Sequence, residues 1–194
     1  MESQQITAAL SLEGLGDDAR AGIDLAAAAG YAGVAFATNH PQLSPAQLGE
    51  SARKHLRRTL QSKHLTIAAL RAAAPRGGLA DAASIDRTVD NVRRAIALAR
   101  DLGVMVVSFN IGAVENASAN RAGATSATAR ETGPLRAMRE LAEEADAAGI
   151  TLAIAGESAA PVETLLREVA CERTRLNLDG SRLIAPDEDP LKVA

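Results

Sequence analysis

The sequence predicts an α/β protein on a parallel sheet: a (β/α) barrel that is incomplete, with about six strands and five full helices of the usual eight βα units. Three observations lead there. Short apolar runs alternate with segments of helical spacing along the whole 194 residues. The runs are nearly continuous in apolar character, as strands covered on both faces require. Glycines fall where a helix gives way to the next run, at Gly30, Gly103 and Gly149. Strand, helix, strand in this order means right-handed βαβ units.

The elements follow in order. ITAALSL (6–12) is the first strand, and a helix runs from about Asp17 to Gly30. AGVAFAT (32–38) is the second strand. Ser44-Pro45-Ala46-Gln47 then has an N-cap residue, a first-turn proline and a capping-box glutamine, so the second helix is expected to open at Ser44. LTIAALR (65–71) is the third strand. Ile85, Val89, Val92, Ile96 and Ala99 line one face of the next helix, with Ser84 as its cap. VMVVSFNIG (104–112) is the fourth strand. Thr132-Gly133-Pro134 opens a helix with Leu135, Met138, Leu141 and Ala145 on one face. ITLAIA (150–155) is the fifth strand, Pro161 starts the last full helix, and RLNLD (175–179) is the sixth strand. DPLKVA reads as the start of a sixth helix.

Residues 113–131, AVENASANRAGATSATARE, carry no apolar periodicity and follow the fourth strand. Their composition predicts a flexible βα loop within a single domain spanning 1–194. A doubly wound nucleotide-binding sheet is the competing architecture. Its fingerprint fails, because Gly14 and Gly16 in SLEGLGDD lack a third glycine at dinucleotide spacing, and no P-loop is present.

Composition narrows the function. The chain is 47% hydrophobic and 23% charged with net charge −3, which gives no basic surface for nucleic acid. The amino-terminal MESQQITAAL has no basic region before an apolar core, and no run reaches the roughly 18 apolar residues of a membrane span. The single cysteine, Cys171 in LLREVAC, excludes an internal disulfide and reads as a buried thiol on a helical face. The expected setting is cytoplasmic, with no nucleic-acid or membrane partner; a homo-oligomer is compatible with this composition.

Parallel α/β folds bind ligands at the carboxyl ends of their strands. That rule selects Ser11 and Glu13, then Thr38, Asn39 and His40, then Arg71, then Ser108 and Asn110, then Glu157 and Ser158, and finally Asp179, Ser181 and Arg182. His55 and His64 fall in or after a helix, away from this face. Asp179 closes an apolar strand, where a carboxylate requires a cation, a donor cluster or a metal. Glu157 shares strand parity with Ala155 only if the strand continues past Gly156.

Four stretches carry a family resemblance: GIDLAAAAGYAGVAFAT, AIALARDLGVMVVSFNIG, LRAMRELAEEADAAGITLAI and LNLDGSRLIAPDEDP. Together they resemble the xylose isomerase-like TIM-barrel family, which includes sugar phosphate isomerases and epimerases and the endonuclease IV relatives. The resemblance spans the whole chain and corresponds to roughly the first two-thirds to three-quarters of such a barrel. It implies a divalent metal (Mn, Mg, Zn or Co) bridging two substrate oxygens, with carboxylates moving protons at the adjacent carbon.

The departures fall on that chemistry. The family's strand-two glutamate position is Ala35, its strand-five metal glutamate is Ala155, and the histidine of its strand-six D-x-x-H pattern is Arg182. Asp179 is retained, and Glu157 is a displaced substitute. The resemblance therefore implies catalytic and metal roles for Asp179 and Glu157, and substrate-binding roles for His40, Arg71, Asn110 and Arg182. Arg182 opposes a cation and suits a phosphate, a carboxylate or Asp179 itself.

Two function classes follow. One is a sugar or sugar-phosphate isomerase or epimerase with an eroded metal site. The other is a non-catalytic relative, or a part of a larger barrel enzyme, that binds a small polyol or anion and needs no metal. A DNA-repair activity would need a histidine-rich metal cluster and a basic surface, which His40, His55 and His64 do not form.

Overall fold

The structure is a computed structural model that describes residues 8–112 and 133–177. The expected flexible loop and the segment bearing Asp179, Ser181 and Arg182 lie outside the described residues. Six strands form one parallel sheet in sequence order. They are β1 (Ala9–Ser11), β2 (Gly33–Ala37), β3 (Thr66–Arg71), β4 (Val106–Asn110), β5 (Thr151–Ala155) and β6 (Thr174–Leu176). Five described helices alternate with them: α1 (Ala19–Ala28), α2 (Glu50–Ser62), α3 (Ile85–Leu102), α4 (Gly133–Ala147) and α5 (Ala159–Val169). β1 pairs only with β2 and β6 only with β5, so the described sheet is open.

The strands are shorter than the apolar runs because the flanking residues leave the ladder while staying buried. Leu12, Leu65, Val104 and Ile150 sit outside strands yet are almost fully covered. Strand alternation divides the sheet. Phe36, Leu70, Val107, Phe109, Leu152 and Ile154 belong to one contiguous core with Ile23, Leu60, Val92, Met138, Leu141 and Val162 of the helices. The helical faces expected for α3 and α4 face the core: Val89, Val92, Ile96 and Ala99, and Leu135, Met138, Leu141 and Ala145 are buried, while Ile85 at the start of α3 is partly buried.

Asp18 caps α1 by accepting from the Arg20 and Ala21 amides at 3.0 and 3.2 Å. Gly103 ends α3 in the left-handed region at φ 73°. The second helix differs from expectation. It begins at Glu50, and Ser44 instead heads a single turn, its carbonyl accepting from Gln47 and Leu48. Leu43 and Leu48 are both buried, yet five helical residues would set them about 140° apart, so a continuous helix could not bury both. Gly49, extended at ψ 171°, separates that turn from α2. Ser84 precedes α3, but its hydroxyl donates to the Gly78 and Asp81 carbonyls rather than capping the helix. Cys171 lies just past α5 and is half-buried, since α5 closes one residue earlier at Ala170.

Ion pairs link successive elements of the outer layer. Lys63 joins Asp24 at 2.7 Å, Arg53 joins Asp101, Arg93 joins Glu144, and Arg173 joins Asp146 at 2.9 Å. No described helix is long and apolar enough to cross a membrane.

Candidate functional site at the strand ends

The carboxyl ends of the central strands are held level by hydrogen bonds that continue the ladder. The Thr38 amide donates to the Arg71 carbonyl at 2.8 Å, Ala72 to Ser108 at 2.8 Å, and Ile111 to Ala155 at 2.9 Å. Register aligns Ala37, Arg71, Ser108, Ala153 and Arg175 in one row across β2 to β6. Asn110 and Ala155 pair two residues further on. Because Phe36, Leu70, Phe109 and Ile154 turn into the core, Ala37, Arg71, Asn110 and Ala155 project from the opposite face. Small side chains dominate that face and leave room above it.

A cavity of about 420 Å³ opens there, bounded by Ala37, Asn39, Arg71, Arg76, Asn110 and Glu157, among others. It therefore gathers the sequence-selected Asn39, Arg71, Asn110 and Glu157 from the ends of β2, β3, β4 and β5. Arg71 donates through Nε to Glu13 Oε1 at 2.6 Å, and its Nη2 meets Glu13 Oε2, a bidentate pair reaching over β2. Asn110 Oδ1 accepts from the Gly112 amide at 2.7 Å, which fixes its amide plane. Ala73, in the wall, is held from both sides: its amide donates to Thr38 Oγ1 at 3.2 Å, and its carbonyl accepts from Asn91 Nδ2 at 2.9 Å.

Glu157 reaches the cavity by a route the strand-parity argument does not foresee. β5 ends at Ala155, the chain turns at Gly156, and α5 starts at Ala159, so Glu157 sits on the turn rather than on a continued strand. His40 is folded into the turn after β2, only 7% exposed, and does not line the cavity. Its Nδ1 accepts from the Gln42 amide at 3.2 Å, which leaves the proton on Nε2; that atom has no partner among the described residues. Ser11 Oγ accepts the Glu13 amide, and Ser158 precedes α5 without a side-chain cap bond.

Two arginines of this face escape selection by sequence. Arg175 lies inside β6 rather than at its end. Arg76 lies five residues beyond β3, in Pro75-Arg76-Gly77-Gly78, where only the paired glycines mark a tight turn.

The described residues do not fit a divalent cation. Where the resemblance implies a metal glutamate, Ala155 offers a methyl group and is 8% exposed. Among the described residues, no three His, Cys, Asp or Glu side chains converge. Among the described residues, Glu157 is the one acid on the cavity wall, beside two guanidinium groups. Such a wall suits hydroxyl and anion recognition. Among the described residues, the two groups with displaced protonation equilibria lie elsewhere. The hydrogen bond from Lys63 holds Asp24 below its ordinary value, and the bond to Glu144 holds Arg93 above its own.

Solved structures share this architecture. The xylose isomerase domain protein from Planctomyces limnophilus matches at TM-score 0.74 and 15% identity, over 97% of this chain and 68% of that one. A D-psicose 3-epimerase with D-tagatose, from Clostridium cellulolyticum H10, matches at TM-score 0.69 and 13% identity, over 97% and 69%. The IOLI protein with a binding zinc atom matches at TM-score 0.68 and 15% identity, also over 97% and 69%. The chain thus spans little more than two thirds of these structures, and at such identities the likeness concerns the fold. A search of curated proteins found no match. The family model described as xylose isomerase-like TIM barrel matches residues 23–190, from α1 through every later described strand and helix. With six parallel strands in sequence order and that match, the chain belongs to the xylose isomerase-like TIM barrel family.

Proposed function

We propose that this chain is a sugar- or sugar-phosphate isomerase- or epimerase-like protein with a reduced metal site, and that its ligand binds at the strand-end cavity. The observation that carries the reading is the convergence of Asn39, Arg71, Asn110 and Glu157 on one cavity at the carboxyl ends of β2 to β5. Epimerases among the structural neighbours, for L-ribulose and D-psicose, support a small sugar as the substrate class. In this reading Glu157 is the general base at the carbon beside the sugar carbonyl, and the asparagine amides orient hydroxyl groups. Asp179 and Arg182 would add a carboxylate and a guanidinium from the strand-six end.

A second reading has a specific observation in its favour. Ala155 stands at the metal-glutamate position, which favours a binding relative that performs no proton transfer. Proton exchange separates the two. Pentoses, hexoses and their phosphates are incubated with the protein in D2O, with and without Mn, and the carbon beside the carbonyl is followed by NMR. Deuterium incorporation that disappears in Glu157→Gln supports the isomerase-like reading. Binding without incorporation overturns it in favour of the second.

A further inference from the structure

We infer that the ligand of this cavity is an acid, a short polyhydroxylated carboxylate or phosphate ester, and that Arg76 is the residue that selects it. The inference rests on the reading of the cavity as the ligand site. Among the described residues, three charged side chains line it: Arg71, Arg76 and Glu157. Arg71 is neutralised by its two-point contact with Glu13. Arg76 has no hydrogen bond or ion pair among the described residues, which leaves it as the free cation of the wall. A guanidinium offers a planar fork that matches two oxygens of a carboxylate or phosphate.

The backbone that carries Arg76 is fixed before any ligand arrives. The Gly78 amide donates to the Pro75 carbonyl at 2.9 Å, closing a turn with Arg76 inside it. That turn lies directly on the end of β4. A Cβ at Gly78 would drive into the Ile111 carbonyl group and come within 2.7 Å of the Gly112 nitrogen, and a Cβ at Gly112 would overlap the Gly77 carbonyl. Leu79 and Ala80 both donate to the Ile111 carbonyl, at 3.0 and 3.1 Å. Arg76 is therefore presented from rigid backbone next to Asn110, so little order is lost on binding. Glu157 enters two strands away, and the β3 and β5 backbones stand about 10 Å apart by strand spacing. A cation near β3 and a carboxylate near β5 match a ligand with an acid at one end and hydroxyls or a carbonyl at the other.

Titration calorimetry on the full chain tests this with gluconate, glucose 6-phosphate and neutral sorbitol as probes. Both acids should bind at least about ten-fold tighter than sorbitol, the worth of a charged hydrogen-bonded contact. In Arg76→Gln that ratio should collapse toward one. Arg76→Lys should restore part of it, and the exposed Arg136→Gln should leave it as in wild type. The ratio of gluconate to glucose 6-phosphate then tells a carboxylate site from a phosphate site. Equal binding of acids and sorbitol, abolished by the cavity-filling Ala74→Trp, overturns the acid inference and leaves the cavity reading standing. An acid preference that survives Arg76→Gln overturns Arg76 as the residue that selects the ligand. If none of the probes binds, the cavity reading fails and the inference with it.

Discussion

Arg71 and Glu13 form a bidentate pair that reaches over β2, tying the end of β3 to the loop after β1. Both groups are partly exposed, so the pair contributes at most about 1 kcal/mol to stability. Its larger effect is on the charge of the cavity. Glu13→Gln should free Arg71 and tighten gluconate binding by about three- to ten-fold, while a urea midpoint shows a stability change within about 1 kcal/mol. Weaker gluconate binding would instead make Glu13 a direct ligand contact.

Gly78 and Gly103 both adopt positive φ, at 54° and 73°, but in different surroundings. Around Gly103 a Cβ would meet nothing within 4 Å. Gly103→Ala should cost about 1–2 kcal/mol, from backbone strain alone. Gly78→Ala adds the collision with the Ile111 carbonyl and should cost at least about 3 kcal/mol, with the acid preference of the cavity reduced as well. Denaturant melts of the two variants side by side decide it; equal losses would remove the argument for a fixed Arg76 turn.

Ala170 closes α5 in the left-handed region at φ 53°. Ala170→Gly should raise stability by about 1 kcal/mol, because glycine adopts this conformation without the Cβ clash. A lower melting temperature in that variant would contradict the reading.

The Lys63 hydrogen bond lowers the pKa of Asp24. A carboxylate with a depressed folded value stabilises the fold above the ordinary carboxylate range and loses that contribution as pH falls through the folded value. Lys63→Met should raise the Asp24 pKa, read by carboxyl carbon NMR, and flatten the acid limb of the stability profile. No movement of the Asp24 resonance would mean that the contact is not populated in solution.

Metal binding tests the reduced site. Mn should bind weakly, with a Kd above about 0.1 mM, because a hard divalent ion seeks about six oxygens. Micromolar binding that vanishes in both Asp179→Ala and Glu157→Gln would restore a true metal centre.

Sheet order was legible in the sequence because each of the first five apolar runs is followed by a helix with a buried face. Leu135, Met138, Leu141 and Ala145 repeat at helical spacing, and all four are buried. The start of α2 was misread because Ser44-Pro45-Ala46-Gln47 obeys local capping rules while Leu43 and Leu48 answer to the core. Tertiary burial decided there. The strand-end rule selected Asn39, Arg71, Asn110 and Glu157, and all four line the strand-end cavity, since the ladder fixes where strands stop. It could not find Arg76, which returns to the cavity only because two glycines let its turn lie on Ile111 and Gly112. Nor could it reveal that Arg71 is neutralised by Glu13, 58 residues away in the chain.

Strand order that follows chain order sets how this molecule opens and closes. Every described ladder joins neighbours in sequence, so each strand can zip onto the one before it without crossing another strand. Loops closed in this way are short, and their closure entropy is modest. Cooperativity then spreads from unit to unit, much as in a stack of repeats, and strands with a described partner on each side should open last. Amide protection should be highest in β4, which has a partner on both sides and the α3 and α4 layer behind it, and should fall toward β1 and β6.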